Sequence, residues 1–372
     1  MKQLIRVLTI RKHKTVTFID ACQELGKKLQ MMIPNILLET IVLNVGDLIM
    51  IESRQTTNRR NLPIIEITKI YWKVSPLVWE SFKGVSDNLQ SPLENIRLNA
   101  RNGGKQISLF LARNSLIDSI KSSLRSIDYI EIPCKSIEEK RTSAKRNPLT
   151  ITSIHQSDPL YLRITMENQL KQAVSILLHS VFSIDNVYYD KGTTPNADRE
   201  VLVLELVSVS QTIEDLIKFI ADLDETLRKI FVSYNLSEFG YMLPEQLTIL
   251  NCNGQVPNDI SIFQNTILTD IPVNSPFIKA DNEGNRFEFQ WIVRGKMIAH
   301  GYNDELNYSN LLSAVEHQMH ILNLQDCNKM DYTRYGLPIT TSLGLGIDIL
   351  LKYFFNIEHL ISISNPLGFY YK

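Results

Sequence analysis

The stretch D-Y-T-R-Y-G-L-P-I-T-T-S-L-G-L-G-I-D-I-L-L-K-Y-F-F, Asp331 to Phe355, decides how the rest of the chain reads. Gly344 and Gly346 stand where a buried strand turns into an apolar helix. Glycine has no Cβ, so backbone or a ligand can approach closely at such a join. The spacing by itself does not specify a nucleotide loop. What surrounds it carries the argument.

Bulk properties set the frame. At 372 residues, 44% apolar and 21% charged, the chain can bury a large core and divide into two or more domains. Thirty-nine basic residues against 40 acidic ones leave a net charge of −1, which gives no global attraction to nucleic acid. RNA contact therefore requires a local patch. Met1–Ile10 is strand-like with interleaved charges rather than a signal peptide, and no apolar run reaches the roughly 20 residues that cross a bilayer. Cys22, Cys134, Cys252 and Cys327 lie far apart, with neither C-x-x-C spacing nor a disulfide framework. Together these features predict a cytoplasmic protein with reduced thiols and no membrane partner.

Residues 2–75 break into short β-rich runs, Ile5–Ile10, Thr15–Ile19, Leu29–Ile33, Ile41–Leu43, Leu48–Glu52 and Ile64–Trp72, with turn signals between them. Five or six such strands predict a small closed barrel of the OB type. Ile107–Ser126 has an apolar face of Leu109, Leu111, Leu116, Ile117, Ile120 and Leu124, and predicts an amphipathic helix. Glu316-His317-x-x-His320 has metal-ligand spacing on a helix, but no third ligand accompanies it, so no metal site is predicted.

The order of segments resembles the class II aminoacyl-tRNA synthetases, most nearly the lysyl-tRNA synthetases. Asp331–Phe355 resembles their motif 3, Y-G-x-P-P-T-x-G-x-G-x-G-I-D-R-L. Ile107–Pro133 resembles motif 1, and V-Y-Y-D-K-G-T-T-P-N-A-D-R-E-V-L-V-L-E-L, Val187–Leu206, resembles motif 2. Y-L-R-I at Tyr161–Ile164 and T-M-E-N-Q-L-K at Thr165–Lys171 match family segments as well. The resemblance implies three parts: an OB-fold anticodon-binding-like barrel over residues 1–75, a linker over 76–106, and a class II core over 107–372. In that core an antiparallel sheet is flanked by helices. It also implies a homodimer paired through motif 1.

The family's ATP and magnesium groups, by contrast, are replaced. Tyr189 stands for the arginine that grips the α-phosphate and the substrate carboxylate, and Lys191 for the glutamate that reads adenine. Asn196 stands for a phosphate-reaching arginine, Val201 for the adenine-stacking phenylalanine, and Ile349 for the last arginine of motif 3. The two magnesium carboxylates fall at Gln290 and Met297. Magnesium prefers hard, anionic oxygen ligands, so ATP and magnesium are not expected as cofactors. The amino-acid side is retained by resemblance in Glu167, Tyr302 and Glu305, or else Asp304, with His300 replacing an asparagine. On the barrel, the resemblance makes Phe18 a base-stacking ring and leaves Arg11, Lys12, Lys14 and Gln30 for RNA; otherwise Phe18 is core and the basic residues form a solvated tip.

The expected function is that of a pseudo-synthetase that binds tRNA, a partner protein or a lysine-like amine. The alternatives are a working lysine–tRNA ligase, or a synthetase-derived enzyme that joins an amino acid to another acceptor.

Overall fold

The computed structural model describes residues 2–24, 27–57, 63–76, 104–140, 148–155, 157–190, 199–321 and 336–364. The chain divides into two compact units, with the boundary between Phe110 and Leu111.

In the first unit, β1 (Lys2–Lys12), β2 (Val16–Cys22), β3 (Lys28–Pro34), β4 (Leu48–Thr57) and β5 (Pro63–Val74) close into a barrel ordered β1-β2-β3-β5-β4. Strand residues alternate between faces. The inward set, Ile5, Val7, Ile19, Ala21, Met31, Ile33, Ile49, Ile51 and Ile67, is fully buried. This is the predicted OB-like barrel, with five strands. Ile41–Leu43, expected as a strand, is not one: Leu43 packs into the barrel core while Val42 faces solvent. One apolar side chain satisfies the core there without a ladder. A register shift opposite Met50 and Ile51 inserts an extra residue into β5, so the consecutive Tyr71 and Trp72 both face outward.

The second unit begins within α1 (Lys105–Ser126) and continues through β6 (Ile130–Glu131) and a small sheet of β7 (Ile137–Glu138), β8 (Thr150–Ile151) and β9 (Leu160–Leu162). Then come α2 (Glu167–Leu177), the hairpin β10 (Val181–Tyr188) and β11 (Glu200–Val209), and α3 (Ile213–Ser233). A capping box in which Thr212 and Asp215 satisfy each other's backbone starts α3. Its buried face is Leu216, Ile220, Leu223, Leu227 and Ile230.

The remaining elements are β12 (Thr248–Asn251), β13 (Asn265–Pro272), β14 (Phe287–Val293), β15 (Lys296–Asn303), α4 (Tyr308–Ile321), β16 (Thr340–Gly346), α5 (Ile347–Phe354) and α6 (Ile361–Ser364). Eight strands form one sheet, β12-β13-β14-β15-β16-β11-β10-β6. Its centre is antiparallel, as expected, while the β12–β13 and β10–β6 edges are parallel, making the sheet mixed. The fold is thus an OB-like barrel plus a class II type core.

Buried polar ties hold the core together. The Arg163 side chain, fully buried, donates to the Asn186 and Cys134 carbonyls at 2.9 and 2.6 Å and pairs with Asp185 at 2.6 Å. Arg113 on α1 grips Asp348 on α5 at 2.7 Å, and the Leu202 amide of β11 donates to the same carboxylate at 3.4 Å. One aspartate therefore joins all three motif regions.

Candidate functional site

Two adjoining spaces open over the middle of the sheet. An outer cleft of about 530 Å³ is lined by Tyr189, Asp190, Val201, Val203, Glu205, Lys296, Met297, Ile298, His300, Gly344, Leu345, Gly346 and Ile349. An inner cavity of about 180 Å³ shares Tyr189, Glu205, His300 and Gly344 with it and reaches Glu167, Tyr302 and Ser342.

The outer cleft brings together four positions at which the resemblance predicts replaced ATP or magnesium groups: Tyr189, Val201, Met297 and Ile349. Lys191 and Asn196 lie outside the described residues. Ile349 folds back over Gly346, where an added Cβ would meet its Cδ1 at 3.3 Å. The space left by the glycine is thus taken by the chain's own isoleucine. Gln290 donates to Glu288 at 2.6 Å, so its amide is engaged within β14. A phenol, a valine, a thioether and an isoleucine offer no charge to a triphosphate and no hard oxygen pair to magnesium. These four side chains do not fit ATP–magnesium, although Lys296, Asp190 and Glu205 line the same cleft. The described residues contain no group of three or more His, Cys, Asp or Glu side chains suited to a metal.

The inner cavity lies against a cluster of paired charges. Glu167 begins α2, while Tyr302 and Asp304 leave β15 and the residue beyond it on one face. Lys171, one helical turn after Glu167, lies 2.5 Å from Glu167 and 2.6 Å from Asp304, with its ammonium 5.7 Å from the Tyr302 ring centroid. The Tyr302 hydroxyl donates to Glu167 at 2.8 Å, and Ser342 donates to Asp304 at 2.9 and 3.0 Å. Burial pushes the Glu167 carboxyl up, but Lys171 and Tyr302 outweigh it and hold it below the usual range. In Asp304 burial wins despite Lys171, and the carboxyl is raised.

Glu305, named from the sequence, is not part of this group. Its carboxylate accepts from the Asn307 amide at 2.9 Å, at the approach to α4. Asp304 is the residue brought beside Glu167 and Tyr302. The partner not singled out from the sequence is Lys171, although its i,i+4 spacing from Glu167 was visible.

Glu205 faces both spaces. It accepts from Thr165 at 2.9 Å and from the Met166 amide at 2.6 Å. Burial, with Glu167 close by, pushes its carboxyl up to about 7. His300 Nδ1 lies 3.4 Å from Glu288. Burial disfavours the imidazolium, yet Glu288, Glu167 and Glu205 raise its pKa above the ordinary value.

On the barrel, the outer faces of β1, β2 and β3 bring Arg11, Phe18 and Gln30 together around Asp20. Arg11 stands opposite Phe18 in register, and Asp20 opposite Gln30. Asp20 accepts from Thr9 at 2.6 Å and from Arg11 and Gln30 at 3.1 Å each. Phe18 is not in the buried core; the His13 ring meets it edge-on at 5.4 Å. Lys12 pairs in register with the buried Thr17 and so leaves the strand on the other face from Phe18, and Lys14 lies in the turn. Arg54 pairs with Glu66 at 2.7 Å. The side chains of His317 and His320, and Cys327, lie outside the described residues. The described cysteines are free thiols.

No family model matches the chain. Among curated proteins it is similar to the lysine–tRNA ligase of Baumannia cicadellinicola, at 21% identity over 68% of this chain and 62% of that protein. The ligase of Moorella thermoacetica is 22% identical over 93% of this chain and 84% of its own length. That of Psychromonas ingrahamii is 23% identical over 80% and 70%. The chain thus spans under two thirds of the first of these relatives, at 62%. No helix among the described residues is long and apolar enough to cross a membrane. With this barrel, this core and these relatives, the chain is a relative of the class II lysyl-tRNA synthetases.

Proposed function

We propose that the chain is a synthetase-derived binding protein. It holds a cationic amine in the core and an RNA loop of the tRNA anticodon type on the barrel, and it does not activate an amino acid with ATP. The observation that carries this reading is the lining of the outer cleft. Tyr189, Val201, Met297 and Ile349 line it, and by resemblance these positions carry cations, a stacking ring and hard oxygens for the nucleotide. Activation of this kind depends on charge stabilisation and positioning, and losing one such group costs roughly two to three powers of ten in rate. The inner cavity, with Glu167 and Glu205 on its wall, suits an ammonium group. On the barrel, the Arg11–Phe18–Gln30 face suits a stacked base; such a contact is worth about 1–3 kcal/mol.

A working lysine–tRNA ligase is the second reading, favoured by the names of the relatives. Calorimetric titration of the full chain with ATP–magnesium, with and without lysine, separates the two. The expected outcome is no heat with ATP, binding of lysine, and binding of tRNA that Phe18→Ala weakens about tenfold or more. Magnesium-dependent ATP binding would return the ligase reading to first place.

A further inference from the structure

The inner cavity has two carboxylates on its wall, Glu167 and Glu205. Among the described residues lining it, His300 is the one side chain that can carry positive charge. Lys171 is committed to Glu167 and Asp304, and Lys296 lines the outer cleft. His300 stands at the junction and lines both spaces. Its Nδ1 faces Glu288 at 3.4 Å, while its Nε2 lies over Gly344, 3.5 Å from where a Cβ there would be. Gly344 is itself a wall residue of both spaces. The ring is therefore held on one nitrogen by Glu288 and presents the other towards the cavity. A carboxylate on one nitrogen both orients an imidazole and favours its protonation.

Two exchanges meet on this wall. By resemblance, position 189 carries a guanidinium that grips the substrate carboxylate, and position 300 carries a neutral amide. Here the first is a phenol and the second an imidazole, and both line the inner cavity. A cavity with carboxylates at one wall and no cation would reject the carboxylate end of an amino acid, because burying an unpaired anion is costly.

We propose that His300 holds the carboxylate of a zwitterionic amino acid whose ammonium group faces Glu167 and Glu205, in place of the guanidinium missing from position 189. This rests on the reading of the inner cavity as an amine site and names its ligand class.

The groups facing the imidazole are Glu288 on β14, Glu205 on β11, Glu167 on α2, Tyr302 on its own strand and Tyr189 beyond β10. The three carboxylates favour the imidazolium, and burial raises the Tyr302 phenol well above its ordinary range. The part of the affinity owed to the ligand carboxylate is present while His300 is protonated and fades as pH rises through its raised pKa. The part owed to the ammonium fades as pH falls below about 7, where Glu205 takes up a proton. Amino-acid binding therefore weakens on both sides, below about pH 7 and above the raised His300 pKa.

The test compares two probes on the full chain by calorimetry: L-lysine and 1,5-diaminopentane, which keeps both ammonium groups and lacks the carboxylate. Wild type should bind lysine on the order of tenfold more tightly, the worth of one charge-assisted contact. His300→Gln should remove the lysine preference, weakening lysine while the diamine, freed of a nearby cation, binds at least as well as before. The lysine preference of wild type should also shrink between about pH 6 and about pH 9. His300→Asn, which restores the residue of the resemblance, gives the same comparison if the first variant folds poorly. Equal binding of the two probes by wild type, or equal weakening of both by the variants, overturns the role of His300 while leaving the amine site standing. Failure of both probes to bind removes the amine site and this proposal with it.

Discussion

Glu205 shows how one side chain links this cavity to the stability of the whole fold. Its carboxyl titrates near 4.5 ordinarily and at about 7 in the folded chain. Between these values the folded state keeps a proton that the unfolded chain has released, so stability falls as pH rises through that window and levels off above it. Glu205→Gln should remove this slope. Above about pH 7 it should stabilise the fold by up to about 3 kcal/mol, read as a higher Tm. A Tm difference that does not change with pH would refute the assignment. The same scale shows what could be read beforehand. Glu167 and Tyr302 were identifiable from the family motif, which put Glu305, or else Asp304, beside them. Alternation along β15 puts Tyr302 and Asp304 on one face and turns Glu305 away. What could not be read was that Lys171 from another element would fill the space between them, because only tertiary packing brings α2 against the end of β15.

Among the elements, the centre of the sheet is held by close backbone contact. A Cβ on Gly301 would lie 2.5 and 2.6 Å from Phe289 ring atoms and 2.9 Å from the Ser342 carbonyl oxygen. Phe289 is fully buried and cannot yield, so Gly301→Ala should cost about 1–3 kcal/mol by chemical denaturation. Asp348→Asn tests the tie between α1, β11 and α5. It leaves Arg113 without its charge partner and should cost about 3 kcal/mol, the low end for a buried pair because Arg113 reaches solvent. An unchanged midpoint in either variant would mean that the element is held elsewhere. While the segment of β10–β11 was marked only by its resemblance to motif 2, the barrel strands and α1 were legible because their periodicity is local. The parallel edges, β12 beside β13 and β6 beside β10, were not. Each is four residues or fewer and is defined by a partner distant in the chain. The Ile41–Leu43 run has strand composition, but its single inward residue, Leu43, needs no ladder.

At the scale of the molecule, we propose that the homodimer implied by the resemblance pairs through exposed apolar side chains. Ile127, Ile130, Ile176, Leu177 and Leu178 are all exposed where α1, β6 and α2 end, with Leu178 67% accessible. An apolar patch of this kind is costly on an isolated chain. A dimer is expected in sedimentation velocity, and Leu178→Asp should convert it to monomer. Residue 178 has φ of 53°, a backbone that aspartate tolerates, so the variant tests the surface rather than the fold. A wild-type monomer would rule the patch out as the pairing face. The Asp348 junction carries a wider consequence. Arg113, Asp348 and the strand that bears Leu202 lock three segments of this chain whether or not any reaction follows. A likeness of 21–23% identity to proteins named lysine–tRNA ligase leaves room for ties of this kind, which hold the fold without touching a substrate. Selection can keep the architecture and discard the reaction, because the two are written in different side chains.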